Sequence, residues 1–208
     1  MSPKMSARVA RLLAGLTLFG VSVALMVRAD LGLASWDVLH QGLAARTGLP
    51  MGLLVNGVAL LVLLLWIPLR QRPGIGTVAN VALVGLALDA TLALVPPLDP
   101  LAGRIGLLVA GILLNGLATA LYLGARLGPG PRDGLMTGLA ARGLPLGPVR
   151  TLIEVTVLAV GWLLGGAVGP GTLLYAVGIG PIVAWLVPRL TVPAPAATPT
   201  GVTPPCPA

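Results

Sequence analysis

Six apolar runs, each close to the length of a bilayer-crossing helix, constrain this chain more than any motif in it. They fall at about 10–27, 52–69, 77–95, 104–125, 149–165 and 171–188; "TVANVALVGLALDATLALV" (77–95) is typical. A span needs about 20 predominantly apolar residues. In lipid every backbone N–H and C=O must be satisfied inside the segment, so each run is predicted to be a helix. Only 9% of residues are charged and 56% are hydrophobic, with a mean hydropathy of +0.98. A soluble domain carries roughly 25% charged residues. The prediction is an all-α integral membrane protein of about six transmembrane helices, with no soluble domain of any size.

The start, "MSPKMSARVARLLAGLTLFGVSVALMV", has the basic head and apolar run of a signal peptide, but further spans follow it, so it reads as a retained first helix. The net charge of +7 rests on twelve Arg and one Lys, scattered singly between apolar runs, and aromatic residues make up only 3% of the chain. That pattern is a topology signal and excludes nucleic acid as a partner. With the N-terminus inside, Lys4, Arg8, Arg11, Arg70, Arg72, Arg126, Arg132, Arg142, Arg150 and Arg189 are cytoplasmic, against Arg28, Arg46 and Arg104 outside. This bias predicts a multi-pass protein of the bacterial cytoplasmic membrane with both termini cytoplasmic. Residues 1–9 form a basic N-terminus, and 191–208, rich in Pro, Thr and Ala, a disordered tail. Cys206 stands alone, which leaves no disulfide within one chain and no Cys metal site; no cofactor is expected.

The chain repeats itself. With one gap at Thr47, residues 20–52 align on 116–147 with 17 of 32 pairs identical, among them Asp37/Asp133, Arg46/Arg142 and Pro50/Pro145. Gly74, Gly76, Thr77 and Gly85 then match Gly169, Gly171, Thr172 and Gly180. Residues 10–98 and 99–190 are two copies, each of three spans and one polar-punctuated insert (28–51 and 126–148). Three is odd, so the second copy enters the membrane from the opposite side, as in the inverted-topology repeats of many transporters.

The stretches "ALMVRADLGLASWDVLHQGLAARTG", "LLWIPLRQRPGIGT" and "GARLGPGPRDGLMTGLAARGLPLGPVRTLIEVTVLAVGWLLGGAVGPGT" resemble the YczE/YitT-type family of bacterial integral membrane proteins, nearly as far as Arg189. The resemblance implies a multi-spanning bacterial inner-membrane protein and brings no assigned activity.

Each insert has a Gly-rich turn, an Asp near the start of a short helical segment and an Arg near its end. Ser35 is placed to cap the first, with Asp37 in its first turn and Arg46 in its last; Pro131, Asp133 and Arg142 hold the equivalent places in the second. Ten or eleven helical residues span roughly 16 Å, half a bilayer. Two arrangements fit: re-entrant half-helices presenting N–H groups to a central pathway, or amphipathic helices lying on the surface. In the first insert Val38, Leu39, Gly42 and Leu43 form one face, with Asp37, His40, Gln41 and Ala44 opposite; in the second, Leu135, Met136 and Leu139 share a face.

Ionisable residues inside spans are costly in lipid and mark pathways or interior pairs. Glu154 and Asp89 are the leading candidates, with Arg150 one turn before Glu154 as its partner. Asp37 and Asp133 read first as helix-start caps. Arg132, whose counterpart is Trp36, and His40, whose counterpart is Met136, break the match between the copies. Asn56 and Asn115 read as hydrogen bonds between helices and as pathway candidates. Trp36, Trp66, Trp162 and Trp185 read as interface markers.

No G-x-S-x-G or H-E-x-x-H is present, so an intramembrane enzyme is not expected. The reading adopted is a secondary transporter or channel for a small solute of unread identity, its partners being the lipid bilayer and that solute. The alternative is an accessory membrane subunit with no transport of its own, bound to another membrane protein or to further copies of itself.

Overall fold

The computed structural model describes residues 3–192; the predicted disordered tail beyond Val192, with Cys206, lies outside them. Among the described residues the regular elements are all helices: α1 (Pro3–Ala29), α2 (Ser35–Thr47), α3 (Met51–Leu64), α4 (Trp66–Leu69), α5 (Ile75–Leu94), α6 (Leu101–Gly124), α7 (Pro131–Ala140), α8 (Leu146–Leu163) and α9 (Pro170–Leu190). Six segments are long and apolar enough to cross a membrane, namely Met5–Ala29, Met51–Leu69, Ile75–Leu94, Leu101–Gly124, Leu146–Leu163 and Pro170–Leu190. The expected count of six stands, with ends moved by a few residues. The largest shift is at α1, which starts several residues earlier than foreseen and takes Arg8 into the helix.

The second span is broken. Pro68 has no N–H to give the Leu64 carbonyl and its ring crowds that carbonyl, so α3 stops at Leu64 and the chain continues in the short α4. Arg70 then turns the chain with a positive φ of 55°.

α1 and α6 lie antiparallel at the centre, and each is tied at its start to the end of the other. Arg8 donates from Nε to the Ala125 carbonyl (2.9 Å) and from Nη2 to the Arg126 carbonyl (2.7 Å). Arg104 donates from Nε to the Ala29 carbonyl (2.7 Å) and from Nη2 to the Asp30 carbonyl (2.5 Å). Asp30 and Arg126, whose carbonyls accept the Nη2 bonds, both have positive φ (48° and 52°). The main core runs along this pair: Leu12, Leu16, Val23 and Met26 of α1 pack with Leu88 of α5 and with Leu108 and Ile112 of α6.

α5 packs on α1 and α9 on α6. Their starts are held alike. The Gly76 N–H donates to the Leu127 carbonyl (2.8 Å) and the Gly171 N–H to the Leu31 carbonyl (2.7 Å), while Thr77 and Thr172 each accept from the N–H three residues before them.

α3 closes tightly on α5. A methyl group built on Gly52 would fall 2.0 Å from the Gly85 carbonyl oxygen, and one on Gly85 would fall 2.1 Å from that of Gly52, so only glycine allows this approach. The Gly52 N–H donates to Asp89 Oδ1 (2.7 Å) and the Gly85 N–H to Asn56 Oδ1 (3.0 Å). α8 and α9, by contrast, stand apart. Gly147 and Gly180, which align with Gly52 and Gly85, have nothing within 4 Å of a methyl placed on them, and Thr151 and Ala184 stand where α3 and α5 carry Asn56 and Asp89.

Candidate functional site between the half-length helices

The two inserts form the half-length helices foreseen, but they do not lie on the surface. In α2 the residues placed on the polar face are interior: Asp37 is 3% exposed and His40 is 0% exposed. That excludes a flat amphipathic helix, which would leave this face in water. α2 docks on α8, its Gly42 against the Gly161 carbonyl, and its end is tied down by Arg46 Nε donating to the Leu164 carbonyl (3.2 Å) and by Gln41 Oε1 accepting from the Ala167 N–H (2.7 Å). α7 docks on α3 and α4: Gly134 lies under the Trp66 ring, whose Nε1–H donates to the Pro131 carbonyl (3.0 Å), and Arg142 donates to the Pro68 carbonyl.

The N-termini of α2 and α7 meet in one cavity of about 690 Å³. Its walls include Ala34, Ser35 and Trp36 from one and Gly130, Pro131, Arg132 and Asp133 from the other; Arg150 and Glu154 of α8 face Tyr175, Ile179 and Gly180 of α9. Neither half-helix has a side-chain cap, which corrects the expected roles of Ser35, Asp37 and Asp133. Ser35 is the first helical residue of α2, and both aspartates have other partners.

Arg132 joins the two halves. Its guanidinium lies 4.9 Å from the centre of the Trp36 ring, and its Nη2 is 3.8 Å from Asp37 Oδ1. Stacking of this kind holds an arginine without neutralising it. Asp37 is also 3.4 Å from His40 Nδ1, beyond the geometry of a hydrogen bond, so both imidazole nitrogens are buried without a hydrogen-bond partner. His40 lies outside the six spans, and burial lowers its pKa from the ordinary value; Asp37 opposes that shift and Arg132 adds to it. Asp133 accepts from Tyr122 Oη (2.8 Å). Tyr175 donates to Asn115 Oδ1 (3.0 Å), and Asn115 Nδ2 donates to the buried Ser22 hydroxyl (2.8 Å).

Of the residues singled out in the sequence, Glu154, Arg150, Arg132 and Asp133 line the cavity, Asp37 and His40 stand directly behind it, and Asn115 is one hydrogen bond away. Asp89 and Asn56 are elsewhere, in the α3–α5 clamp. Arg150 and Glu154 share the wall but make no ion pair, so the expected pairing does not form. Trp36 and Trp66, taken as interface markers, are buried at 6% and 2% exposure; Trp162 and Trp185 are exposed. Tyr122 and Tyr175 were missed, because a tyrosine in an apolar helix carries no signal of which way it faces. Arg132 and Arg150 are cavity residues, where the sequence had them as loop charges. Among the described residues no group of three His, Cys, Asp or Glu could hold a metal ion.

Residues 6–188 match the model described as "Family of unknown function (DUF6198)". The chain belongs to this family. An uncharacterized protein of Haemophilus influenzae is 42% identical over 173 residues, covering 83% of this chain and 79% of its own. The uncharacterized membrane protein YczE of Bacillus subtilis is 34% identical, covering 82% of this chain and 80% of its own, so the resemblance noted in the sequence holds. The uncharacterized protein YyaS of Bacillus subtilis is 27% identical over 167 residues. No solved structure matches the chain. This family member is a multi-span membrane protein in contact with the lipid bilayer.

Proposed function

We propose that the protein is a secondary transporter for a small solute, built as two inverted repeats, with the cavity at the half-helix N-termini as its solute site. The repeat reading is supported by the matched bonds of Arg8 and Arg104, of Gly76 and Gly171, and of Thr77 and Thr172, made by aligned residues on helices of opposite direction. Bonds paired in this way are what a two-fold axis in the membrane plane requires, and such an axis brings the solute site to the interface of the repeats. Trp36 and Arg132, aligned residues of the two copies, meet face to face near that axis.

One observation carries the transport reading: two equivalent interfaces are in opposite states. α3–α5 is shut through Gly52, Gly85, Asn56 and Asp89, while α8–α9 is parted around the cavity although Gly147 and Gly180 keep the small residues that closure needs. With cytoplasmic termini in the bacterial inner membrane, α3 begins outside and α8 begins inside, so the arrangement is inward-open. The other half of the cycle exchanges the two, closing α8 on α9 and parting α3 from α5. No covalent chemistry is involved.

The test is disulfide trapping in native membranes. With Cys206→Ser as background, Gly147→Cys and Gly180→Cys are expected to cross-link, which needs Cα atoms within about 7 Å. Asp89→Ala, by releasing the shut interface, raises the yield. Absence of the link in both backgrounds overturns alternating access and leaves the accessory-subunit reading in its place.

A further inference from the structure

We infer that the solute is a zwitterion, carrying separate cationic and anionic groups with no net charge; the inference rests on the cavity being a solute site. Two cationic side chains (Arg132, Arg150) and two carboxylates (Asp133, Glu154) line it. Behind them stands the Asp37 carboxylate, 3% exposed. Two uncapped helix N-termini face the same space, each equivalent to roughly half a positive charge. The wall is therefore close to electrical balance, with one negative charge offset by two half-positive helix ends. A solute of net charge would add a charge that this balanced wall does not match. An uncharged solute would give the separate cationic and anionic groups of the wall nothing to pair with. Arg150 and Glu154 lie one turn apart, yet they make no ion pair with each other, and among the described residues Glu154 has no ion-pair partner. Trp36 Nε1 is likewise buried at the cavity wall without a partner.

These groups sort by sign, with Arg132 shared with Asp37 at 3.8 Å. Arg132 is stacked on Trp36 beside the two N-termini, where N–H groups and guanidinium suit a carboxylate or phosphate. Glu154 on α8 is the uncommitted anion for an ammonium, since Asp133 already accepts from Tyr122. Apolar residues of the α9 face, Ile179 among them, complete a wall for a short aliphatic body.

The test compares solutes of different charge by their shift of the unfolding temperature of the full chain in mild detergent: 4-aminobutyrate and the α-amino acids without a charged side chain, against butyrate, butylamine and butyramide, which match 4-aminobutyrate in size. At least one zwitterion is expected to stabilise the protein, and butyrate, butylamine and butyramide to have little effect. Glu154→Gln is expected to weaken zwitterion binding by at least roughly tenfold and Glu154→Asp to restore part of it. Arg132→Gln, checked for folding by the same melt without solute, weakens it as well. Equal stabilisation by butyrate, butylamine or butyramide, or none by any zwitterion, overturns the inference. Cross-linking at 147 and 180 without zwitterion binding would leave alternation standing and remove the substrate class. Zwitterion binding without the cross-link would do the reverse.

Discussion

Asp89 and Glu154 illustrate what a single residue does and does not disclose. Both are lone carboxylates in apolar runs, and the sequence offers the same argument for each. Asp89 is spent on the Gly52 N–H at the start of α3, while Glu154 faces open cavity. What separates them is which neighbour the helix turns toward them, and that is set by packing. His40 makes a testable case at this scale. Its burial lowers the folded pKa below the ordinary 6.5, so below that pH the unfolded chain binds the proton more readily. The neutral imidazole's contribution to stability is present above about pH 6.5 and is lost as pH falls toward the folded pKa. Detergent-solubilised protein is expected to lose stability on acidification from about pH 7.5 to about pH 5. His40→Met, which installs the residue found at the equivalent position 136, flattens that loss. An unchanged slope would show that the imidazole does not control it.

At the level of elements, the half-length helices were legible as lengths and their burial was not. The period of α2 supports a membrane-surface helix as well as an interior one, because Asp37 and His40 look like a solvated face until Arg132 and the rest of the interior surround them. Helix interfaces made by glycine were legible only as composition. The equivalent pair Gly85 and Gly180 turns this into a measurement. Gly85→Val drives a side chain into the backbone of α3 and is expected to destabilise the fold by about 1–3 kcal/mol. Gly180→Val enters open space and is expected to change stability by less than about 0.5 kcal/mol. Chemical denaturation of both variants in one detergent makes the comparison, and equal losses would mean that α8 and α9 pack as closely as α3 and α5.

For the whole molecule, the asymmetry between two similar halves is the property from which transport is argued, and orientation decides which half faces the cytoplasm. Single cysteines at Ser2 and Thr200, in the Cys206→Ser background, are expected to resist a membrane-impermeant maleimide in whole cells and to react in inverted vesicles. The opposite pattern would make the present arrangement outward-open.

The sequence by itself determined the number of spans, the half-length inserts and the internal match, since bilayer thickness and backbone hydrogen bonding translate directly into run lengths and turn residues. The tertiary structure decided which charges share a cavity and which interface is shut. Those depend on Gly52 finding Gly85 while Gly147 and Gly180 remain apart, a difference of contact between nearly identical small residues that local patterning does not carry.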